Sequence, residues 1–327
     1  MNMKKSLIAL AVAGAFAAPA FAATSNVDVY GIMNIAIQDT DQSGVDASIE
    51  DNVSRIGFKG SEDLGGGLKA IWQIESGINV TTGSTTLASR NSFVGLAGGF
   101  GTVLAGRHDT PYKLGTVKLD IFGDTIADYN SGANNGGLDN VDLIDKTHDH
   151  RNGQALAYIS PTFSGFHVGA AVVMADEAAN ANNGKTIDAT SITAIYENGP
   201  LFLSLSHQDV KALKSKALKF GAGYAFGDTK VGFVYEDLNN ATSTGHVSGA
   251  NDRDSWLVNV AHAMGPITLK AQYGQVDEGA SVDQDLWAIG ADYNLSKRTA
   301  VYFVYGNGDD DAGSDAAGWN LGVKHSF

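Results

Sequence analysis

The chain has 327 residues, no cysteine, and 36 Asp and Glu against 22 Lys and Arg, for a net charge of −14. The lack of cysteine excludes a disulfide-stapled scaffold, and the acidic balance excludes the basic footprint of a nucleic-acid binder. Past the leader no uninterrupted apolar run approaches the ~18 residues of a membrane-spanning helix, which excludes a helical membrane protein.

The leader comes first. Lys4 and Lys5 precede an apolar run over residues 6–18, and Ala20-Phe21-Ala22 follows. A basic start, a short apolar core and an A-x-A site make a cleavable export signal. Residues 1–22 are expected to be removed, leaving 23–327 as a single mature domain whose net charge is −16 once Lys4 and Lys5 are gone. An exported chain without disulfides must draw its stability from burial and hydrogen bonding alone.

From Val27 onward the sequence alternates with a period of two. Over 266–274, Ile267, Leu269, Ala271 and Tyr273 alternate with Thr268, Lys270 and Gln272. Over 216–226, Leu218, Phe220, Ala222, Tyr224 and Phe226 alternate with Lys219, Gly221 and Gly223, and over 201–208 three Leu alternate with Phe202, Ser204 and Ser206. Such segments are strands with one apolar and one polar face. Sixteen are expected: 27–38, 53–61, 67–78, 89–97, 101–109, 153–161, 166–174, 188–197, 200–208, 216–226, 229–237, 253–262, 266–275, 284–294, 298–306 and 317–327.

The gaps between these segments alternate between short turns and longer, more acidic loops. That rhythm is an up-and-down meander, the form of an outer-membrane barrel with an even strand number, tight turns at one end and long loops at the other. A two-layer sandwich would alternate as well, but would bury its apolar face in a protein core. Sixteen strands closed on themselves enclose a lumen too wide for side chains to fill, and the polar positions here suit water. The expected fold is an all-β, 16-stranded antiparallel transmembrane β-barrel. Aromatics near segment ends, among them Trp72, Tyr224, Phe226, Tyr293 and Phe327, fit the girdles such barrels carry at the membrane interfaces.

Residues 110–150 have no strand pattern. A connection of that length inside a compact domain is expected to have a function. It carries seven Asp and three Lys. Across 119–130 the spacing is helical: Asp120, Asp124 and Asp128 fall on one face, and Leu119, Phe122 and Ile126 on roughly the opposite one. The expectation is a short amphipathic helix with an apolar back and a carboxylate front.

Three stretches resemble the general porins of Gram-negative outer membranes, the sixteen-stranded trimeric type. One is Ser54-Arg55-Ile56-Gly57-Phe58-Lys59-Gly60-Ser61-Glu62-Asp63-Leu64-Gly65-Gly66-Gly67-Leu68-Lys69-Ala70. Another is 90–110, with Val94-Gly95-Leu96, Phe100-Gly101-Thr102-Val103 and Gly106-Arg107. The third is the end, Gly318-Trp319-Asn320-Leu321-Gly322-Val323-Lys324-His325-Ser326-Phe327. With Val29-Tyr30-Gly31 opening the first strand, the resemblance covers essentially the whole mature chain. It implies passive diffusion of ions and small hydrophilic solutes, a homotrimer set in outer-membrane lipid, no cofactor and no catalysis. It also implies a third external loop folded into the lumen, and residues 110–150 follow the fifth strand where that loop belongs. A last strand ending on Phe327 resembles the signal read by the outer-membrane assembly machinery.

The candidate site is then a constriction. Arg55 shares strand parity with Gln73 and Glu75 and is expected to point inward, as are Arg90 and Arg107. These three would form a basic wall opposite Asp120, Asp124 and Asp128, setting up a transverse field that biases ion passage. Gly95, Gly99 and Gly101 lie in a patch of small residues and are expected at the subunit interface, where backbones approach closely. No metal is expected: His148 and His150 flank Asp149 in what reads as a solvated loop, and Asp309, Asp310 and Asp311 lack the spacing of a calcium loop. Two alternatives stay open. One is a substrate-specific sugar or phosphate channel, whose aromatic track Tyr112, Phe122 and Tyr129 would begin; the other is a loop-mediated adhesin. Ion preference stays open too, because acidic outer loops gather cations while an arginine-rich throat favours anions.

Overall fold

The computed structural model describes residues 26–41, 46–130, 138, 143–145, 147–174, 186–211, 213–242, 250–278, 283–310 and 315–327. The export signal expected over 1–22 lies outside the described residues. In chain order the strands are β1 (Asn26–Thr40), β2 in two pieces (Ser48–Asp51 and Arg55–Gly65), β3 (Leu68–Asn79), β4 in two pieces (Ser84–Thr86 and Ser92–Gly98), β5 (Gly101–Asp109), β6 (Arg151–Ile159), β7 (Phe166–Met174) and β8 (Ile187–Asn198). They continue as β9 (Leu201–Val210), β10 (Ser215–Phe226), β11 (Thr229–Thr242), β12 (Ala250–Met264), β13 (Ile267–Asp277), β14 (Gln284–Asn294), β15 (Thr299–Asp310) and β16 (Asp315–Ser326).

Each strand pairs antiparallel with the next, and β16 returns to β1 in register from Ile32 opposite Ser326 to Thr40 opposite Gly318. The sixteen strands form one closed antiparallel barrel. Closure leaves no unpaired edge, the condition for a sheet to sit in a medium that cannot hydrogen-bond its backbone. The seam is finished by the terminus: Gly31 and Phe327 exchange backbone hydrogen bonds of 3.2 and 3.1 Å.

Burial is inverted relative to a protein that folds in water. On β9 the outward Leu205 is 51% exposed while the inward Gln208 is 0%; on β10 Leu218 is 44% exposed while Lys219 is 0%. Apolar side chains face out along each strand and polar ones face in, as a hydrocarbon surround and a wet lumen require. Aromatics pair across strands on the outside, Trp256 with Tyr273 and Trp287 with Tyr305, each at 5.6 Å between ring centroids.

The large apolar core lies inside, between the loop over 110–150 and the inner wall. Leu119, Phe122, Ile126, Leu143 and Ile144 pack against Val234, Leu257, Leu286, Ala288 and Val304 of β11 to β15. Glycines on inward positions make room for them. A Cβ on Gly221 or Gly223 would stand 2.9 Å from Leu119, one on Gly274 2.8 Å from Leu143, and one on Gly290 2.8 Å from Phe122.

The amphipathic helix expected across 119–130 does not form. A short helix, α1 (Pro111–Leu114), and a single 3-10 turn over Val117–Leu119 precede a run of tight turns. Short polar side chains take the backbone groups that a helix would have used. Asp120 accepts from the Phe122 N–H at 3.1 Å, Asp128 accepts from the Asn130 N–H at 3.0 Å, and the Thr125 hydroxyl donates to the Phe122 carbonyl at 2.6 Å. Asp124 has φ +63°, outside the helical region. The two faces nevertheless separate as the spacing indicates, with Leu119, Phe122 and Ile126 buried on the wall.

Inserting a leucine at Gly290 would drive it into the Phe122 ring, and overpacking of this kind costs about 1–3 kcal/mol. Gly290→Leu is expected to lower the thermal midpoint in detergent, whereas Ile289→Leu, one residue away on the outward face, is expected to leave it unchanged. Equal midpoints for the two variants would show that the loop does not rest on this wall.

Candidate functional site

The loop leaves two adjoining cavities in the lumen. The first, about 430 Å³, is lined by Arg55, Arg90, Lys113, Arg151, Lys270 and Lys324, and by Asp109, Asp120, Asp124, Asp128, Asp149 and Asp292. The second, about 650 Å³, reaches toward the β3–β4 connection and is lined by Arg90, Arg107, Lys113, Arg151, His150 and Asp51 among others. Five of the six predicted charged residues thus line one cavity. Arg107 lines the other, with Arg90 on the boundary between them.

Asp124 sits at the loop tip and is clamped from the wall. Arg55 on β2 donates to its two oxygens at 3.0 and 3.1 Å, and Lys324 on β16 reaches Oδ2 at 2.9 Å. The Asn34 side-chain amide donates to the Asp124 carbonyl and to the Asn52 carbonyl, both at 2.9 Å, while Tyr302 donates to the Asn34 oxygen at 2.8 Å. Burial works against the Asp124 charge, yet Arg55 and Lys324 outweigh it and hold the carboxyl below its ordinary range.

Asp120 and Asp128 behave differently. Burial, the charge of Asp128 and a hydrogen bond between the two carboxyls push Asp120 well above the ordinary carboxylate range. Burial raises Asp128 as well, and the Asp124 charge adds to it. Each of these carboxyls disfavours ionisation of its neighbour, so their neutral forms are favoured relative to free carboxylates.

Other cations on the lining are paired. Arg90 meets Glu75 at 2.6 Å, and Tyr30 donates to the same carboxylate at 2.9 Å. Arg151 reaches both oxygens of Asp109 at 3.0 and 3.1 Å, and Lys270 lies 2.9 Å from Asp292. Lys113, Arg151, Lys270 and Lys324 were not picked out from the sequence. Inward parity marks Lys270 and Lys324, but parity gives no height along the barrel, and height decides which inward charges meet the loop.

The ends of the loop are fastened by buried charges. Lys219, fully buried on β10, pairs with Asp149 and lies 4.2 Å from the Tyr112 ring centre. Tyr112 donates to Glu236 at 2.7 Å, and Arg253 reaches the same carboxylate at 3.1 Å. His148 and Asp149 were expected in a solvated loop; both are buried, with the His148 ring between Asp145 and Ser215. Burial would raise Asp145, but its bonds to His148 and the nearby Arg253 hold it at about 2. Tyr112 and Phe122 are fully buried and Tyr129 nearly so. They pack into the loop and the wall, so the aromatic track does not begin there.

Gly95 and Gly101 have reasons within one chain. A Cβ on Gly95 would stand 2.5 Å from the Val103 carbonyl oxygen, and Gly101 has φ +104°; Gly99 faces open space. Among the described residues no group of three or more His, Asp or Glu is placed to hold a metal ion.

The sequence matches the Gram-negative porin family over residues 9–313. Major outer membrane protein P.IB of Neisseria gonorrhoeae is 29% identical over 351 residues, covering 96% of each chain. Among solved structures, the anion-selective porin from Comamonas acidovorans superposes with a TM-score of 0.75 at 24% identity, covering 93% of this chain and all of that one. The trimer form of OmpT, an outer membrane protein of Vibrio cholerae, superposes at 0.68 with 17% identity, covering 93% of this chain and 99% of that one.

The opposite shifts at Asp120 and Asp124 have opposite consequences for stability. The folded-state pKa of Asp120 is raised, so its contribution is fully present below the ordinary carboxylate range and is lost as pH rises through the folded value. The value for Asp124 is lowered, so its contribution is present above the ordinary range and is lost as pH falls through the folded value. Asp120→Asn is therefore expected to stabilise the barrel selectively at high pH. Asp124→Asn is expected to cost about 2 kcal/mol at neutral pH by leaving Arg55 and Lys324 without their carboxylate. Thermal midpoints of both variants from pH 3 to 10 check the signs; parallel pH profiles for wild type and Asp120→Asn would overturn the carboxyl-pair assignment.

Proposed function

The chain belongs to the Gram-negative porin family and is an outer-membrane channel for diffusion of small solutes, and we propose that residues 110–150 set the narrowest and most strongly charged point of its path. The clamp on Asp124 carries this reading. It carries the loop tip across the lumen to β2 and β16 and holds it there by four bonds to charged or amide side chains. The apolar back of the loop is seated on β10 to β15, and the free space runs along β2 to β5, where Arg55 and Arg90 stand, and on to Lys270, Asp292, Tyr302 and Lys324 of β13 to β16.

Ions and small hydrophilic solutes cross this gap by diffusion, and no energy source is required. Its field is mixed but leans positive. Six cations and six carboxylates line the first cavity, but Asp149 is also held by Lys219, and burial and neighbouring carboxyls raise Asp120 and Asp128, which favours their neutral forms. Anions are favoured modestly, and the preference weakens as pH rises and these carboxyls ionise. The selectivity stated for the Comamonas porin is consistent with this direction.

The working unit is a homotrimer in outer-membrane lipid, as the trimeric Vibrio neighbour supports. The small-residue face around Gly95, Gly99 and Gly101 is its contact. Residues 1–22 direct export and are removed, and Phe327, closing the barrel beside Gly31, is presented to the assembly machinery.

Purified protein in planar bilayers is expected to conduct in groups of three equal steps. In a salt gradient the reversal potential should have the sign of anion preference and move toward zero as pH rises. Asp120→Asn is expected to flatten that pH dependence, and Asp124→Asn to shift the potential further toward anions. A folded protein that leaves bilayers silent would overturn the channel assignment; a reversal potential untouched by Asp124→Asn would remove the loop tip from the path.

A further inference from the structure

The second cavity is larger than the passage it adjoins, and diffusion alone gives it no purpose. It is bordered by two breaks in the barrel wall, on β2 and β4, on either side of β3. β2 breaks at 52–54, where Val53 has φ +61°, and β4 breaks at 87–91, where Ala88 has φ +57°. Side chains replace the missing ladder. The Ser54 hydroxyl accepts from the Asn34 N–H at 2.9 Å, the Ser76 hydroxyl from the Ala88 N–H at 3.0 Å, and the Ser89 hydroxyl from the Gly77 N–H at 2.9 Å. Two non-glycine residues in the left-handed region, one on each side of β3, are retained at a cost of order 1 kcal/mol or more each, and the cavity opens between these breaks as an alcove.

We propose that this alcove is a subsite for anionic, polyhydroxylated solutes, small sugar phosphates or sugar acids, on their way through the channel; the proposal rests on the diffusion reading above. One end of the alcove is basic. Arg90 and Arg151 are bound to Glu75 and Asp109, but among the described residues Arg107 makes no ion pair and gives only its Nε hydrogen to the Ser89 carbonyl, at 2.8 Å. Its two terminal nitrogens are left as a fork, the geometry that suits a carboxylate or phosphate. The acids on the same lining are already engaged: Asp51 accepts from the Ser54 and Val80 N–H groups at 2.8 and 3.2 Å, and Asp149 is held by Lys219.

The other end is rich in hydroxyls and amides, with Asn79, Ser84, Thr85 and Thr86 on its lining and the one carboxylate there, Asp51, turned to backbone N–H groups. A bare inorganic anion would use only the arginine end. A neutral sugar would use only the hydroxyl end. A solute with an anionic group and several hydroxyls uses both, and about 650 Å³ is within the roughly 300–1,000 Å³ typical of small-molecule sites. The boundary residue Arg90 lines both cavities, so a solute held in the alcove stands at the entrance of the narrow passage.

The test is block of ion current through wild-type trimers in planar bilayers by glucose 6-phosphate, glucose and inorganic phosphate. Glucose 6-phosphate is expected to half-block at a concentration at least about tenfold below either of the others, the gain from engaging both ends at once. Arg107→Gln is expected to raise its half-blocking concentration about tenfold, the loss of a charge-assisted pair of hydrogen bonds. The double variant Ser84→Ala, Thr86→Val is expected to weaken block by glucose 6-phosphate about threefold without altering block by inorganic phosphate. Should Arg107→Gln fail to assemble, the hydroxyl pair decides. Equal block by glucose 6-phosphate and inorganic phosphate would reduce the alcove to part of a basic wall, and block unchanged in both variants would overturn the subsite. A channel that conducts yet shows either result keeps the diffusion reading intact, whereas an absence of conductance overturns both.

Discussion

A loop can lie inside a wide barrel only if the wall supplies hydrogen-bond partners for its backbone. Buried N–H and C=O groups without partners each cost 1–3 kcal/mol or so, and a turn-rich segment satisfies few of its own. Here the partners come from inward side chains on separate strands. Asn34 donates to the carbonyl of Asp124, Asn259 to that of Leu119 at 2.6 Å, Gln272 to that of Ala127 at 2.6 Å and Gln208 to that of His148 at 3.0 Å. In the other direction Ser191 and Glu236 accept from the N–H groups of Tyr112 and Asp145, at 2.9 and 2.8 Å. The polar lumen of this barrel is therefore only partly for water. Much of it is a template for the loop.

The charged groups divide by depth along the loop. At its ends, Lys219 with Asp149 and Arg253 with Glu236 are almost fully enclosed. Pairs of this kind carry a desolvation cost comparable to their attraction, so their main effect is to fix geometry, because separating them would strand a buried charge. At the tip, Asp124 and its partners remain partly open to the passage. There the same chemistry both anchors the loop and sets the field that a crossing ion meets. Neutralising the tip and neutralising the ends are consequently different experiments, the first reading permeation together with loop anchoring and the second reading folding alone.

The wall itself is uneven in a way that follows from this division of labour. On the β10 to β15 side, glycines and small residues receive Leu119, Phe122 and Leu143. On the β2 to β5 side the loop makes polar contacts such as that of Asp124 with Arg55, the ladders of β2 and β4 break, and arginines stand over open cavities.

Alternation alone set the strand count, the outward apolar face and the break in pattern over 110–150, because a period of two is a local property of the chain and a membrane barrel has no other way to arrange it. The separation of Leu119, Phe122 and Ile126 from Asp120, Asp124 and Asp128 was legible for a related reason: tight turns and a helix both turn about three to four residues back onto one face. Their conformation was not legible, since Asp120, Thr125 and Asp128 are placed to bond their own backbone and only packing on the wall decides between the two. Nor could the sequence show that Lys324, 200 residues from Asp124, completes its clamp, that His148 is buried, or that Arg107 stands in the alcove while Arg55 stands in the passage. Those depend on where each strand begins along the barrel axis, and that height is fixed by closure of sixteen strands at once. The sequence by itself determined which residues face inward; only the closed barrel decided which of them meet.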